Sequence, residues 1–238
     1  MEKKILGVLG GMGPAASACF LALITEFTDA KREQEHMDIL LHSIPSIPDR
    51  TDFILGISTC SPLPKMKKAV CELTSAGAQI IAIPCNTAEY FHPELQAYCP
   101  VPILRTAYES AAFAAKKGIK KLGIMATEGT VRSGIYQKHL ACFGIDAFVP
   151  ERGMQAKIND IIYKRIKKSL APDECIAEKA EAYFRKNGCD AAVLGCTELS
   201  LLPGVEENRF FIDSLSVLAA VCVRKCGYPL STKGRFYT

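Results

Sequence analysis

Residues 80–88 read Ile-Ile-Ala-Ile-Pro-Cys-Asn-Thr-Ala, and residues 191–198 read Ala-Ala-Val-Leu-Gly-Cys-Thr-Glu. Both open on a short run of aliphatic residues with no polar alternation, the pattern of a parallel strand buried on both faces. Both then break into small polar residues around a cysteine. In an open α/β sheet such a break lies at the carboxyl end of the strand, where ligands bind. Cys85 and Cys196 are therefore placed at two such strand ends.

Outward from these stretches the chain alternates strand and helix. Residues 4–9 read as a first strand running into the turn Gly10-Gly11-Met12-Gly13-Pro14, with a helix from Ala15 to about Ala30 and Pro14 as its first residue. A strand over 38–43 leads to the segment 44–51, whose Pro45 and Pro48 exclude a central strand. A helix over 62–76 ends at Gly77. Past Pro100-Val101-Pro102 come a helix over 106–117, a strand over 121–126, a polar turn at 127–130, a helix over 134–143 and a strand over 146–149. An amphipathic segment at 155–169 and a helix over 173–186 precede the second cysteine strand. Asp213-Ser214 reads as the N-cap of a last helix, about 215–224.

The pattern repeats. Residues 4–9, Lys-Ile-Leu-Gly-Val-Leu, overlay residues 120–125, Lys-Lys-Leu-Gly-Ile-Met, at an offset of 120 − 4 = 116, and the cysteines are offset by 196 − 85 = 111. Nearly equal spacing of two features predicts two similar doubly wound α/β lobes with parallel sheets, related by a pseudo-twofold about a shared cleft. The expected division places residues 1–100 and about 210–238 in one lobe and 101–209 in the other.

The 238 residues carry 29 basic and 25 acidic side chains, a formal charge of +4, with no Trp and no basic block interleaved with aromatics. Nucleic-acid binding has no footprint in such a pattern, and no apolar run is long enough to span a membrane. Eleven cysteines, an odd number without a Cys-x-x-Cys pair, suit reduced thiols in a cytoplasmic protein better than a disulfide framework or a zinc site. His42, His92 and His139 show no metal-ligand spacing, so no metal is expected, and His36 is expected to order a loop. Gly11-x-Gly13-x-x-Ala16 formally matches a dinucleotide fingerprint, but Pro14 removes an amide donor. An anion at the helix N-terminus is the other use of that turn.

Two thiols facing each other across a cleft can invert a carbon centre. One removes a proton and the other supplies one to the opposite face. A helix N-terminus after each cysteine would favour the thiolate this needs. The chain resembles the cofactor-independent aspartate/glutamate racemases in five places taken in order. These are Gly-Val-Leu-Gly-Gly-Met-Gly-Pro (7–14), Gln-Glu-His (34–36), Ile-Pro-Asp-Arg-Thr (47–51), Pro-Cys-Asn-Thr-Ala (84–88) and Gly-Cys-Thr-Glu (195–198).

The resemblance implies a two-lobed α/β fold, no cofactor, a small acidic amino-acid substrate and a homodimer. It implies Cys85 and Cys196 as the acid–base pair, and Arg50 as the grip on the substrate's side-chain carboxylate, in keeping with the bidentate geometry of guanidinium. Lys167 aligns with a second contact to that carboxylate, with Lys164 as its competitor. Met12, Asn86, Thr87, Thr127 and Thr197 fall at substrate-binding positions. Relatives on this fold also isomerise maleate or racemise hydantoins, and a carboxylate- or dinucleotide-binding module is the non-catalytic alternative. One departure stands out: Glu89 occupies a position where many members have His. A carboxylate near Cys85 opposes thiolate formation unless it points away or pairs with a cation.

Overall fold

A computed structural model describes residues 2–168, 170, 176–205 and 207–238. The first half runs β1 (Leu6–Gly10), α1 (Pro14–Phe27), β2 (Ile39–Ser43), α2 (Arg50–Ile54), α3 (Leu63–Ser75), β3 (Ile80–Ala82) and α4 (His92–Gln96). The second begins with α5 (Thr106–Lys116), β4 (Lys121–Met125), α6 (Glu128–Arg132), α7 (Ile135–Cys142) and β5 (Asp146–Phe148). It goes on through α8 (Arg152–Asp160), α9 (Ile176–Lys186), β6 (Ala191–Leu194), β7 (Phe211–Asp213), α10 (Ser214–Lys225) and α11 (Thr232–Arg235).

The strands form two all-parallel sheets, β2-β1-β3 and β5-β4-β6-β7. Their registers are related as the sequence repeat predicts. Leu6 pairs with Ile80 and Leu122 pairs with Ala191, so the paired residues are offset by 122 − 6 = 116 and 191 − 80 = 111. The match extends to the fourth strand position. Ile81 bridges Ile103, with its N–H donating to Pro102 O at 2.9 Å and its carbonyl accepting from Leu104 N at 2.8 Å. Pro102 fits there because this edge position needs no donor from it. In the second sheet the same place is held by β7, which is hydrogen-bonded to β6.

Each sheet is covered on both faces, as the unalternating strands require. α1 and α10 cover one face of the first sheet and α3 the other, while α8 and α9 oppose α5 and α7 across the second. α10 is buried from Ser214 to Val223. Leu215, Leu218 and Cys222 join the core of the first sheet, and Val217 and Val221 that of the second. α10 thus packs against the cores of both sheets.

Three local expectations are corrected. The loop at 44–51 ends in a helix, because the Asp49 carboxylate caps α2 by accepting from Thr51 N at 2.7 Å and Asp52 N at 3.1 Å. The turn at 127–130 is the start of α6, with Thr127 as its N-cap. The amphipathic segment begins earlier, at Arg152, and passes from α8 into a π turn at Ile161–Arg165 and a 3-10 turn at Ile166–Lys168. Ser169 and residues 173–175, expected to end that segment and to begin α9, lie outside the described residues.

Candidate active site

β3 and β6 end two to three residues before Cys85 and Cys196, and each cysteine then opens a 3-10 turn, Asn86–Phe91 and Thr197–Leu201. These turns replace the α-helical N-termini expected there, since Ala88 N reaches Cys85 O at 3.2 Å and Leu199 N reaches Cys196 O at 2.9 Å, i to i+3. The dipole of one such turn is a small fraction of an α-helix macrodipole. Both cysteines are free thiols, 6% and 7% exposed, and both line one narrow cavity between the lobes. The lobes are stitched beside it by Thr197 Oγ1, which donates to Pro84 O at 3.2 Å.

Arg50 and Lys167 bring positive charge to the same cavity. Arg50 is buried, and its guanidinium donates to Met12 O and Pro48 O, both at 3.2 Å, and to Ile47 O at 3.4 Å. Its Nε has no protein partner. Burial alone would lower its pKa, yet the net shift is upward, because the Cys85 sulfur and the Asp49 carboxylate lie close to it. Lys167 Nζ is 3.5 Å from Asp49 Oδ2 and 4.2 Å from the centre of the Tyr163 ring. Burial pushes the Asp49 carboxyl up, but Lys167 and Arg50 bring it to a net depression. Lys164, the competing lysine, faces away and pairs with Asp160 at 2.9 Å on the exposed side.

The remaining expected residues, Met12, Asn86, Thr87, Thr127 and Thr197, line this cavity too. Asn86 is fixed at both ends of its amide, donating to Ser214 Oγ at 2.9 Å and accepting from Tyr136 OH at 2.6 Å. Thr87, Thr127 and Thr130 form a closed ring of hydroxyl contacts of 2.8–3.1 Å, and Thr51 donates into it at 3.3 Å. Thr51, Asp49 and Tyr163 also line the cavity and were not among the expected site residues. Thr51 and Asp49 flank Arg50 in the quoted motif, and Tyr163 lies one helical turn before Lys167, so a helical-face reading of 161–168 points to it.

The two thiols differ in surroundings. Burial pushes the Cys196 thiol up to about 12, offset in part by Lys167. Glu198, 2% exposed, packs against Gly13, where a Cβ would meet its carboxylate; burial raises its pKa. Glu89 points away from the cavity. Its Oε1 is 2.8 Å from His139 Nε2 and 3.6 Å from Arg105 Nε, and its Oε2 accepts from Ala107 N at 2.7 Å. The condition set by the sequence, a carboxylate turned aside and paired, is the one found. Among the described residues no three His, Cys, Asp or Glu side chains group as a metal site, and no helix is long and apolar enough to cross a membrane.

The profile of one protein family, described as Asp/Glu/Hydantoin racemase, matches residues 9–222. The broad specificity amino-acid racemase RacX of Bacillus subtilis (strain 168) is 26% identical over 229 residues, covering 90% of this chain and 95% of that one. The glutamate racemase of Aquifex pyrophilus is 31% identical over 150 residues, covering 61% of this chain and 56% of its own length. Among solved structures, the Picrophilus torridus aspartate racemase superposes with a TM-score of 0.83 at 29% identity, covering 98% of this chain and 99% of that one.

Proposed function

The chain belongs to the Asp/Glu/hydantoin racemase family and is an amino-acid racemase of it, and we propose that it interconverts L- and D-aspartate, with glutamate as a secondary substrate, without a cofactor. The observation that carries this reading is the convergence of Cys85, Cys196, Arg50 and Lys167 on one small cavity. In the proposed reaction Arg50 and Lys167 bind the side-chain carboxylate. The α-carboxylate and amine are held by the Met12 backbone, Asn86, Thr87, Thr127 and Thr197. Lys167 then exchanges its pairing with Asp49 for the substrate.

One of Cys85 and Cys196, as thiolate, removes the α-proton, and the other enters as a thiol. The carbanion is protonated on its other face by that thiol, and each turnover returns the pair with the proton on the opposite sulfur. The reverse enantiomer starts from that state. Hydrogen-bond donors aimed at the α-carboxylate stabilise the charge that develops on it. Support for aspartate over glutamate comes from the full-length likeness to an aspartate racemase. The proposal extends to a cytoplasmic homodimer.

Proton NMR of the reduced protein in deuterium oxide with L-aspartate and then L-glutamate tests the reading. Loss of the α-proton signal with appearance of the D-enantiomer on a chiral column is expected, faster for aspartate. Folded protein that exchanges neither amino acid would sink it.

A further inference from the structure

We infer that Glu89, bound to His139 and Arg105, is a positioning residue for Cys85. The inference rests on the reading of Cys85 as one of the two acid–base groups.

The turn Asn86–Phe91 carries Asn86 and Thr87 into the cavity and starts at Cys85. This segment is two turns of 3-10 helix that run on into α4; 3-10 hydrogen-bond geometry is poor, so tertiary contacts fix its place. Three polar side chains reach out of it. Asn86 binds Ser214 and Tyr136, and Thr87 binds Thr127 and Thr130. Glu89 makes the third anchor, on the face away from the cavity. Its side chain is 6% exposed, and its two oxygens divide between α5, through Ala107 N, and α7, through His139. His139 Nε2 lies 2.8 Å from Glu89 Oε1, and Arg105 Nη2 lies 3.2 Å from Nδ1 and 3.0 Å from Nε2 of the same ring. Arg105 also stacks on Tyr108, its guanidinium carbon 5.1 Å from the ring centre.

The pseudo-equivalent turn after Cys196 is anchored differently. Glu89 lies four residues beyond its cysteine; the residue four beyond Cys196 is Ser200. It donates to Asp213 Oδ1 at 2.6 Å, and Asp213 ends β7, a strand of the same sheet as β6. The Cys196 turn also touches the first lobe, through Thr197 and Pro84, but its residue at the place of Glu89 is a neutral donor that binds within its own lobe. The Cys85 turn is held across to the second lobe by a buried charge. A buried carboxylate deprived of its shape or charge leaves donors on two helices without a partner, which favours displacement of the turn over retention of its place. Displacement by about 1 Å at a reacting group lowers rate by about 100-fold. Loss of Glu89 thus bears on Cys85 and not on Cys196.

The test is α-proton exchange in deuterium oxide, measured separately from L- and D-aspartate, with wild type, Glu89→Ala and Glu89→Gln. Both directions run through the same two proton transfers and the equilibrium constant is one, so misplacing Cys85 lowers kcat/KM equally from L- and D-aspartate. The alanine variant is expected to lose about 10- to 100-fold from both, with KM little changed. The glutamine variant keeps the acceptor for Ala107 N and is expected to recover part of that loss. Iodoacetamide labelling followed by peptide mapping should show altered reactivity at Cys85 with Cys196 unchanged. If wild type exchanges neither enantiomer, the racemisation reading itself fails. If wild type exchanges both, and folded Glu89→Ala keeps both rates within about twofold, or loses them while labelling of Cys85 is unchanged or that of Cys196 changes alike, the positioning role is overturned. Should the alanine variant not fold, unchanged labelling of Cys85 in Glu89→Gln overturns it equally.

Discussion

Arg50→Lys isolates the proposed grip on the side-chain carboxylate. The guanidinium is fixed by the carbonyls of Met12, Pro48 and Ile47, which orient its plane before substrate arrives. Lysine keeps the charge and can reach one or two of those carbonyls, but it offers a point donor instead of a fork. A hydrogen bond to a charged group contributes about 1.5–3 kcal/mol. Losing one of the two expected to aspartate therefore lowers kcat/KM by about 10- to 150-fold, at about 1.4 kcal/mol per decade. The assay is L-aspartate racemisation followed on a chiral column, with α-proton exchange of L-alanine as the comparison, since alanine has no distal carboxylate. Alanine exchange should stay within about threefold of wild type, and the melting temperature should be nearly unchanged because the carbonyls keep a cation. Arg50 would have no such role if folded Arg50→Lys kept aspartate kcat/KM within about threefold of wild type. The same holds if aspartate and alanine fell in parallel, which would show general damage to the cavity.

Three other outcomes follow from the same geometry. Because Cys196 holds its proton to about pH 12 when folded and an unfolded cysteine releases it near ~8.5, the unfolded chain binds fewer protons between those values. This group's contribution is intact below ~8.5 and is lost as pH rises through the window. Melting curves from pH 8 to 11 should accordingly fall less steeply for Cys196→Ser than for wild type, and equal slopes would contradict the buried thiol. Tyr136→Phe removes the 2.6 Å donor to Asn86 Oδ1 in a fully buried place. It should lower stability by about 1–3 kcal/mol in urea unfolding and reduce turnover through Asn86. In Gly123→Ala the new methyl group meets the Phe184 ring under the second sheet. Destabilisation of about 1–3 kcal/mol is expected from overpacking, with KM for aspartate unchanged.

The fold was legible because its determinants are periodic and local. Buried parallel strands show as unbroken aliphatic runs, and the offsets of 116 and 111 residues recur as paired registers, Leu6 with Ile80 and Leu122 with Ala191. The cavity residues were legible only through motifs whose order resembled a family, because no local rule brings Arg50 beside Cys85. What stayed hidden depends on tertiary partners. Tyr136 and Ser214 clamp Asn86 from 50 and 128 residues away, and nothing near them in the chain signals it. His139 carried no spacing that suggested a role, yet it is the partner that turns Glu89 aside. The 3-10 turns after the cysteines escaped notice because Asn-Thr-Ala and Thr-Glu-Leu start an α-helix as readily, and the choice is made by where their side chains find partners.

Duplication supplies two cysteines at matched strand ends, but two-base inversion needs them in opposite protonation states at any moment. A perfectly symmetric site would give both thiols the same environment and no preferred starting state. Here the lobes have diverged around the shared geometry. The first lobe sets Arg50 against Cys85, while the second buries Cys196 beside Glu198, a carboxyl whose own pKa is raised by burial. Proton transfer through the substrate exchanges the two states, so the resting asymmetry must be small enough for the reverse reaction to begin. In the proposed reaction a dicarboxylate engages Arg50, which lies close to the Cys85 sulfur, and Lys167, which offsets part of the burial of Cys196. In that scheme the cations proposed to select the substrate are the same ones that act on the acid–base pair, so substrate choice and proton transfer are coupled through Arg50 and Lys167.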